Sequence, residues 1–121
     1  MATFSVTGVN LQPMAGSHES LSVTTAAVVP LTSTKYITKT LTGYPNPTEQ
    51  KVLAEQAFIT VVTNTVRWTV DGTAPTTGAT GTGHDAAAGD VIVLDGFDAI
   101  RAFQAIAATA TGTLKVTYFR N

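Results

Sequence analysis

The sequence predicts an all-β protein, an antiparallel sandwich or barrel of about eight short strands. Two observations support this fold class. Short segments alternate between apolar and polar residues, and Gly, Pro and Asp-Gly turn signals separate them at fairly regular intervals. Threonine, a β-branched residue that favours strands, makes up roughly one residue in five. The 121 residues, of which 44% are hydrophobic, are enough to bury one core.

The first 20 residues are predicted to form an N-terminal arm or loop region, and residues 21–121 a single β-sandwich domain. Thr3–Val9 alternates in polarity, which indicates a short edge strand or an arm. Residues 10–20 are interpreted as irregular, because proline and glycine interrupt any period there.

The central part of the chain contains a turn-rich loop at Gly43–Pro47, where two closely spaced prolines forbid a central strand. Thr48–Lys51 permits a short helix capped by Thr48, although a strand is expected to begin at Val52. Asn64-Thr65 permits a hairpin between its flanking strands. The predicted strands are residues 21–31 (one or two strands), 35–41, 58–63, 66–70, 90–94 and 114–118.

Two C-terminal segments need separate interpretation. Asp71–Gly89 holds five of the ten glycines and is predicted to be a long surface loop. Asp98–Ala108 is ambiguous, because Ile100, Phe103 and Ile106 have helical spacing while a spacing of two also fits a strand. The strand is preferred, because a short Ala-rich run between two strands of a β protein usually joins the sheet.

Composition and charge exclude several classes of protein. Only 12% of residues are charged, the net charge is −1, and the seven basic residues are scattered, so nucleic-acid binding is not expected. The absence of cysteine excludes disulfides and thiolate zinc sites. No apolar run approaches the ~20 residues of a membrane helix, and the N-terminus lacks signal-peptide features. A weakly charged surface suits contact with other proteins.

No residue pattern predicts catalysis, a cofactor or a metal. His84 and Asp85 in the Gly-rich loop, with Asp71 and Asp90 at its bases, permit a hard metal, but their spacing matches no EF-hand. Aspartate is also a favoured turn former, which is the preferred interpretation. No Gly-x-Ser-x-Gly nucleophile elbow is present. The chain is therefore not expected to be an enzyme.

Aromatic and arginine residues provide candidates for binding. Trp68 alternates in phase with its flanking valines and is expected in the core, whereas Tyr44 is expected to be exposed. An exposed aromatic residue on a small β-sandwich would suit carbohydrate binding. Arg67 and Arg101 interrupt apolar strands, so they are expected to face solvent or pair with an acid, with a subunit interface as the alternative.

Four segments of the C-terminal half carry a resemblance to a known family. Val66–Thr76 reads Val-Arg-Trp-Thr-Val-Asp-Gly-Thr-Ala-Pro-Thr, and Ala88–Asp90, Ala99–Phe103 and Leu114–Tyr118 follow it. This pattern resembles small β proteins encoded among the structural genes of tailed phages. It is similar in particular to the jelly-roll decoration, or cement, proteins of phage capsids.

The resemblance implies a jelly-roll structural protein of the virion that is made in the host cytoplasm and binds the outer surface of the capsid. Its partner would be the major capsid protein, and the protein would itself form a dimer or trimer. A tail, fibre or baseplate accessory module and a carbohydrate-binding sandwich remain the alternatives. The residues expected to make contacts are Phe4, Val6, Tyr44, Pro45, Pro47, Pro75, His84 and Asp85.

Overall fold

A computed structural model describes residues 4–6, 9–43 and 45–120. These residues form eleven strands and two short helices. The strands are β1 (Phe4–Val6), β2 (Val9–Val23), β3 (Val29–Pro30), β4 (Ile37–Thr42), β5 (Thr48–Leu53), β6 (Gln56–Thr63), β7 (Val66–Thr69), β8 (His84–Ala86), β9 (Val91–Asp95), β10 (Gln104–Ala107) and β11 (Gly112–Arg120). The helices are α1 (Ser33–Tyr36) and α2 (Phe97–Ala102). Neither helix is long and apolar enough to cross a membrane.

The strands form three antiparallel sheets. The largest has the order β1-β2-β11-β6-β9, the second has the order β3-β10-β7-β8, and β4 and β5 pair as a separate two-stranded ribbon. Ile59 and Val116 of the first sheet belong to the same buried cluster as Val66 and Ala105 of the second. The all-β antiparallel prediction is therefore confirmed, and the shared core is consistent with a sandwich.

The N-terminal segment differs from its prediction. Residues 10–20 are not irregular, because they lie within β2, which pairs with β11 from Gln12 to Val23. The register shifts between Thr117 and Phe119, where β2 uses extra residues and Gly16 adopts a φ of 74°. A bulge of this kind accommodates the residues that break the period without ending the strand. Whether the first 20 residues act as an arm towards a partner stays a prediction.

The chain does not form a hairpin at Asn64-Thr65. β6 lies in the five-stranded sheet and β7 in the four-stranded sheet, so this turn carries the chain between sheets. Asn64 has a φ of 57° and its side-chain amide donates to the carbonyl of Thr111 at 2.8 Å. The predicted hairpin is wrong because the turn redirects the chain across the core instead of reversing it within one sheet.

Three further segments correct the sequence interpretation. Thr48–Lys51 is not helical but opens β5, where pairing with β4 determines the structure. The Asp71–Gly89 loop contains β8, which pairs with β7. The ambiguous segment contains both alternatives, since residues 98–102 lie in α2 and residues 104–107 form β10. The preferred strand is therefore wrong for the first part and confirmed for the second.

The buried carboxylate of Glu19 links β2, in the N-terminal part of the chain, to β11, the last strand. Tyr118 is fully buried and its hydroxyl donates to Glu19 Oε2 at 2.6 Å. Thr32 donates to the same carboxylate through its hydroxyl at 2.6 Å and its backbone N–H at 3.2 Å. Burial, together with the hydrogen bond to Glu19, raises the pKa of Tyr118 well above its ordinary value near 10.

The raised pKa of Tyr118 predicts an alkaline loss of stability. The unfolded chain releases the tyrosine proton first, so this contribution is complete below about pH 10 and declines as pH rises towards the folded pKa. The free energy of unfolding should fall by up to about 1.4 kcal/mol per pH unit above that point through this one proton. Urea titrations at pH 8 and pH 11 should show a larger fall for wild type than for Tyr118→Phe. Equal falls would contradict the prediction.

Candidate interaction surface

Arg67 anchors the Gly-rich loop to the outer face of β7. Only 5% of the residue is exposed. Its Nε donates to Asp85 Oδ1 at 2.7 Å, and Nη1 donates to the carbonyls of Thr76 and Gly78, each at 2.7 Å. The expectation that Arg67 pairs with an acid is confirmed, but the side chain does not face solvent, because the loop folds back over it. Arg101 pairs with Asp98 at 3.1 Å and is exposed.

The loop packs closely around this arginine. A Cβ on Gly81 would collide with Arg67 Nη1 and with the carbonyl of Thr76. A Cβ on Gly83 would come within 2.7 Å of Arg67 Cγ and 3.3 Å of Pro75 Cβ. Pro75 is itself fully buried. Glycine is therefore required at Gly81 and Gly83 by close approach, and the loop is closely packed over Arg67.

Gly81→Ala should destabilise the protein by about 2–3 kcal/mol, because the added methyl group overlaps backbone that cannot move without breaking the Arg67 contacts. Gly78→Ala is the matched control, since a Cβ there meets nothing within 4 Å and only its φ of 96° is strained. The control should cost about 1 kcal/mol. Urea unfolding measures both. An effect of Gly81→Ala no larger than the control would show that the loop is not closely packed.

A cleft of about 310 Å³ lies at one edge of the fold, where β8 and β9 end their respective sheets. Its lining residues are Trp68, Asp85, Ala86, Asp90, Val91, Ile92 and Val93. The Trp68 ring is half-buried and already has two aromatic neighbours. The Phe103 ring lies 6.0 Å away at an interplanar angle of 23°, and the His84 ring lies 5.0 Å away. These contacts compete with any sugar that would stack on the indole.

Strand β9 is a free sheet edge within the described part of the chain. Gly89 N–H donates to the Val61 carbonyl at 2.7 Å, and Val61 N–H donates to the Asp90 carbonyl at 2.9 Å. Because hydrogen-bonded pairs alternate along an antiparallel ladder, the register then directs the backbone groups of Ile92 towards β6. The N–H and C=O groups of Val91 and Val93 therefore point outward from the edge.

The side chains of this edge are apolar and exposed. Val91 is 49% exposed and Val93 is 43% exposed. Native proteins usually protect such an edge with charge, proline or a covering element, because a bare edge pairs readily with another strand. The β9 edge is therefore suited to pairing with another strand.

Negative charge surrounds the edge and the cleft. Residues 68–100 contain five aspartates and no lysine or arginine. Arg67 and Arg101, which flank this range, pair with Asp85 and Asp98, so three of the five aspartates have no ion pair among the described residues. Asp85 and Asp90 line the cleft, and Asp95 ends β9, where its Oδ1 accepts from the buried Gln56 Nε2 at 2.7 Å. A backbone hydrogen bond from Thr73 lowers the pKa of Asp71, which keeps that carboxylate charged. Within the described residues, no group of three or more metal-ligating side chains occurs.

Three of the expected contact residues lie in this region. His84 and Asp85 belong to β8, where His84 is exposed beside Trp68 and Asp85 holds Arg67. Pro75 lies under the same loop and is fully buried, so it offers a partner no surface in this conformation. The interface roles of His84 and Asp85 stay predictions.

The other expected contact residues are distributed elsewhere. Pro45 and Pro47 are exposed between β4 and β5, at the tip of the ribbon. Phe4 and Val6 lie on β1, at the opposite edge of the five-stranded sheet from β9, and their side chains are outside the described atoms. Tyr44 is outside the described residues. The structure therefore does not bring the seven expected contact residues that it describes together in one site.

The sequence interpretation missed the β9 edge. Val91–Leu94 contains four consecutive apolar residues, a pattern typical of a strand buried on both faces. Only the sheet order shows that two of these valines are exposed. The only sequence signal for this edge was the absence of charged residues from Val91–Leu94, and that signal is weak because the whole chain has few charges.

Comparisons with protein-family models, with curated proteins and with solved structures each found no match.

Proposed function

We propose that this protein is a structural component of a phage virion, a decoration or cement protein that binds the outer surface of the head and stabilises it. The observation that carries the proposal is the exposed apolar edge at β9 on a fold with few charges. Such an edge provides main-chain hydrogen bonds and apolar side chains for another protein. A ligand that binds only the assembled shell stabilises that shell.

The pairing of strands supports a jelly-roll assignment. Apart from β1 and the ribbon, eight strands remain in two four-stranded sheets. Their pairs are nested, since β2 pairs with β11, β3 with β10, β6 with β9 and β7 with β8. A hairpin that is wrapped into two sheets produces this nesting, which is the design of double-sheet jelly rolls.

The test is quantitative mass spectrometry of purified particles of the phage that encodes the chain, with the major capsid protein as reference. A ratio between about one-third and one is expected for a protein that follows the symmetry of the lattice. A ratio of a few per cent would indicate that the protein belongs to the tail, fibres or baseplate instead of the head. Absence from washed particles would overturn the virion proposal and leave a free binding module, including a carbohydrate-binding one.

A further inference from the structure

The ribbon of β4 and β5 is a second place in this molecule where a strand edge has no pairing partner among the described strands. It is a separate two-stranded sheet, and an isolated pair of strands has marginal stability without a third strand or a packing surface. Residues 48–51 are all exposed, and Leu53 is 40% exposed. Ile37 and Val52 at the base of the ribbon pack against the core, whereas the exposed residues of β5 have no such cover.

The outward backbone groups of β5 follow from its pairing. Ala54 N–H donates to the Tyr36 carbonyl at 2.9 Å, so the hydrogen-bonded positions of the ladder alternate from that pair. The N–H and C=O groups of Lys51 and Leu53 then point to the free edge of β5. Their side chains share one face of the ribbon, because residues two apart in a strand point the same way.

The edges of β5 and β9 complement each other. Three of the four large apolar side chains that are exposed in the described residues lie on these two strands, at Leu53, Val91 and Val93. Asp90 and Asp95 flank the β9 edge and have no ion-pair partner among the described side chains. On β5, Glu49 pairs with Lys39, and Lys51 has no such partner among those side chains. An antiparallel register that places Leu53 opposite Val93 also places Lys51 opposite Asp95.

We propose that β5 of one copy adds as a strand to the β9 edge of a second copy, with Lys51 facing Asp95 and Leu53 facing Val93. The contact joins different surfaces of the two copies, so it is a head-to-tail contact that either closes into a ring or continues as a filament. It extends the five-stranded sheet and gives the ribbon its third strand. The inference rests on the homo-oligomer implied by the proposed function and identifies its interface.

The experiment is size-exclusion chromatography with light scattering on the purified chain over a range of concentrations. Wild type should have a mass above that of the monomer. Val93→Lys should reduce it to the monomer, because a lysine on a free edge blocks strand addition. Val62→Lys is the matched control, since Val62 is 41% exposed but lies on the inner strand β6, and it should leave the assembly intact.

A charge exchange tests whether Lys51 of one copy faces Asp95 of the other. Lys51→Glu should abolish the assembly, whereas Lys115→Glu, which makes the same change at an exposed lysine on the inner strand β11, should not. Combining Lys51→Glu with Asp95→Lys should restore it. A folded double variant that stays monomeric would overturn the register. If Lys51→Glu retains the assembly that Val93→Lys destroys, β9 pairs with itself and the proposal is wrong.

A wild-type chain that is monomeric at every concentration would also overturn the interface. This outcome is distinguishable from failure of the proposed function, because the copy number in particles is measured independently. A monomer found at high copy number on heads would refute only the self-association. An assembly formed in solution by a protein absent from particles would refute only the virion role.

Discussion

Replacement of Arg67 with methionine should lower the free energy of unfolding by about 2–4 kcal/mol. Methionine retains much of the apolar stem of arginine, but it is shorter and donates none of the three hydrogen bonds that Arg67 makes. The carbonyls of Thr76 and Gly78 would lose a charged donor beneath the loop. Urea unfolding followed by Trp68 fluorescence measures the change, because Trp68 is adjacent to Arg67 in β7.

Two control variants distinguish the contribution of the Asp85 ion pair from that of the hydrogen bonds to the loop carbonyls. Arg101→Met removes a comparable ion pair, but both partners are exposed, so the expected cost is about 0.5 kcal/mol or less. Asp85→Ala leaves the two carbonyl contacts of Arg67 intact and should cost about 1 kcal/mol, since Asp85 is itself exposed. If Asp85→Ala were as costly as Arg67→Met, the ion pair and not the loop carbonyls would carry the stability.

Local alternation correctly predicted strands that are buried on one face. Leu114–Tyr118 lies within β11, and its inward side chains alternate with polar ones. In β11 the period of two is present in the sequence itself, because one face packs on the core and the other carries polar residues. Phe58–Thr63 lies within β6, but its outward-facing Phe58 and Val62 are apolar, so β-branched and aromatic composition rather than alternation indicates this strand.

Pairing between distant segments was not predictable from local pattern. β2 is a strand although proline and glycine interrupt it, because β11 pairs with it from the far end of the chain, with Arg120 opposite Gln12. α2 begins after Gly96, whose φ of 92° turns the chain out of β9. The ambiguous segment therefore contains two elements, because residues 98–102 lie in the helix α2 and residues 104–107 form the strand β10.

The candidate surface depends even more on topology. His84 and Asp85 were found because they lie in a Gly-rich loop, a feature of sequence. Val91 and Val93 were missed because an apolar strand has the same composition in the middle of a sheet and at its edge. The burial of Arg67 was also hidden, since nothing local to β7 indicates that a loop eleven residues further along the chain returns to cover it.

Replacement of Glu19 with leucine should cost about 2–4 kcal/mol, although it removes a buried charge and adds an apolar side chain. Three donors converge on this carboxylate, namely the Tyr118 hydroxyl and the hydroxyl and backbone N–H of Thr32. Leucine leaves the fully buried Tyr118 hydroxyl without an acceptor, whereas Thr32 is exposed and its donors turn to water. The penalty for buried polar groups that lose their partner exceeds the gain from removing the charge.

Glu19→Gln isolates the requirement for an acceptor from the requirement for charge. Its Oε1 can accept from Tyr118 and from the Thr32 N–H, while its amide donates to the Thr32 hydroxyl, so every group keeps a partner. We expect it to lie within about 1 kcal/mol of wild type. Glu49→Leu removes an exposed carboxylate paired with Lys39 at 3.3 Å and should cost about 0.5 kcal/mol or less. Equal costs for the two leucine variants in urea unfolding would mean that the network joining β2 to β11 contributes no more than a surface ion pair.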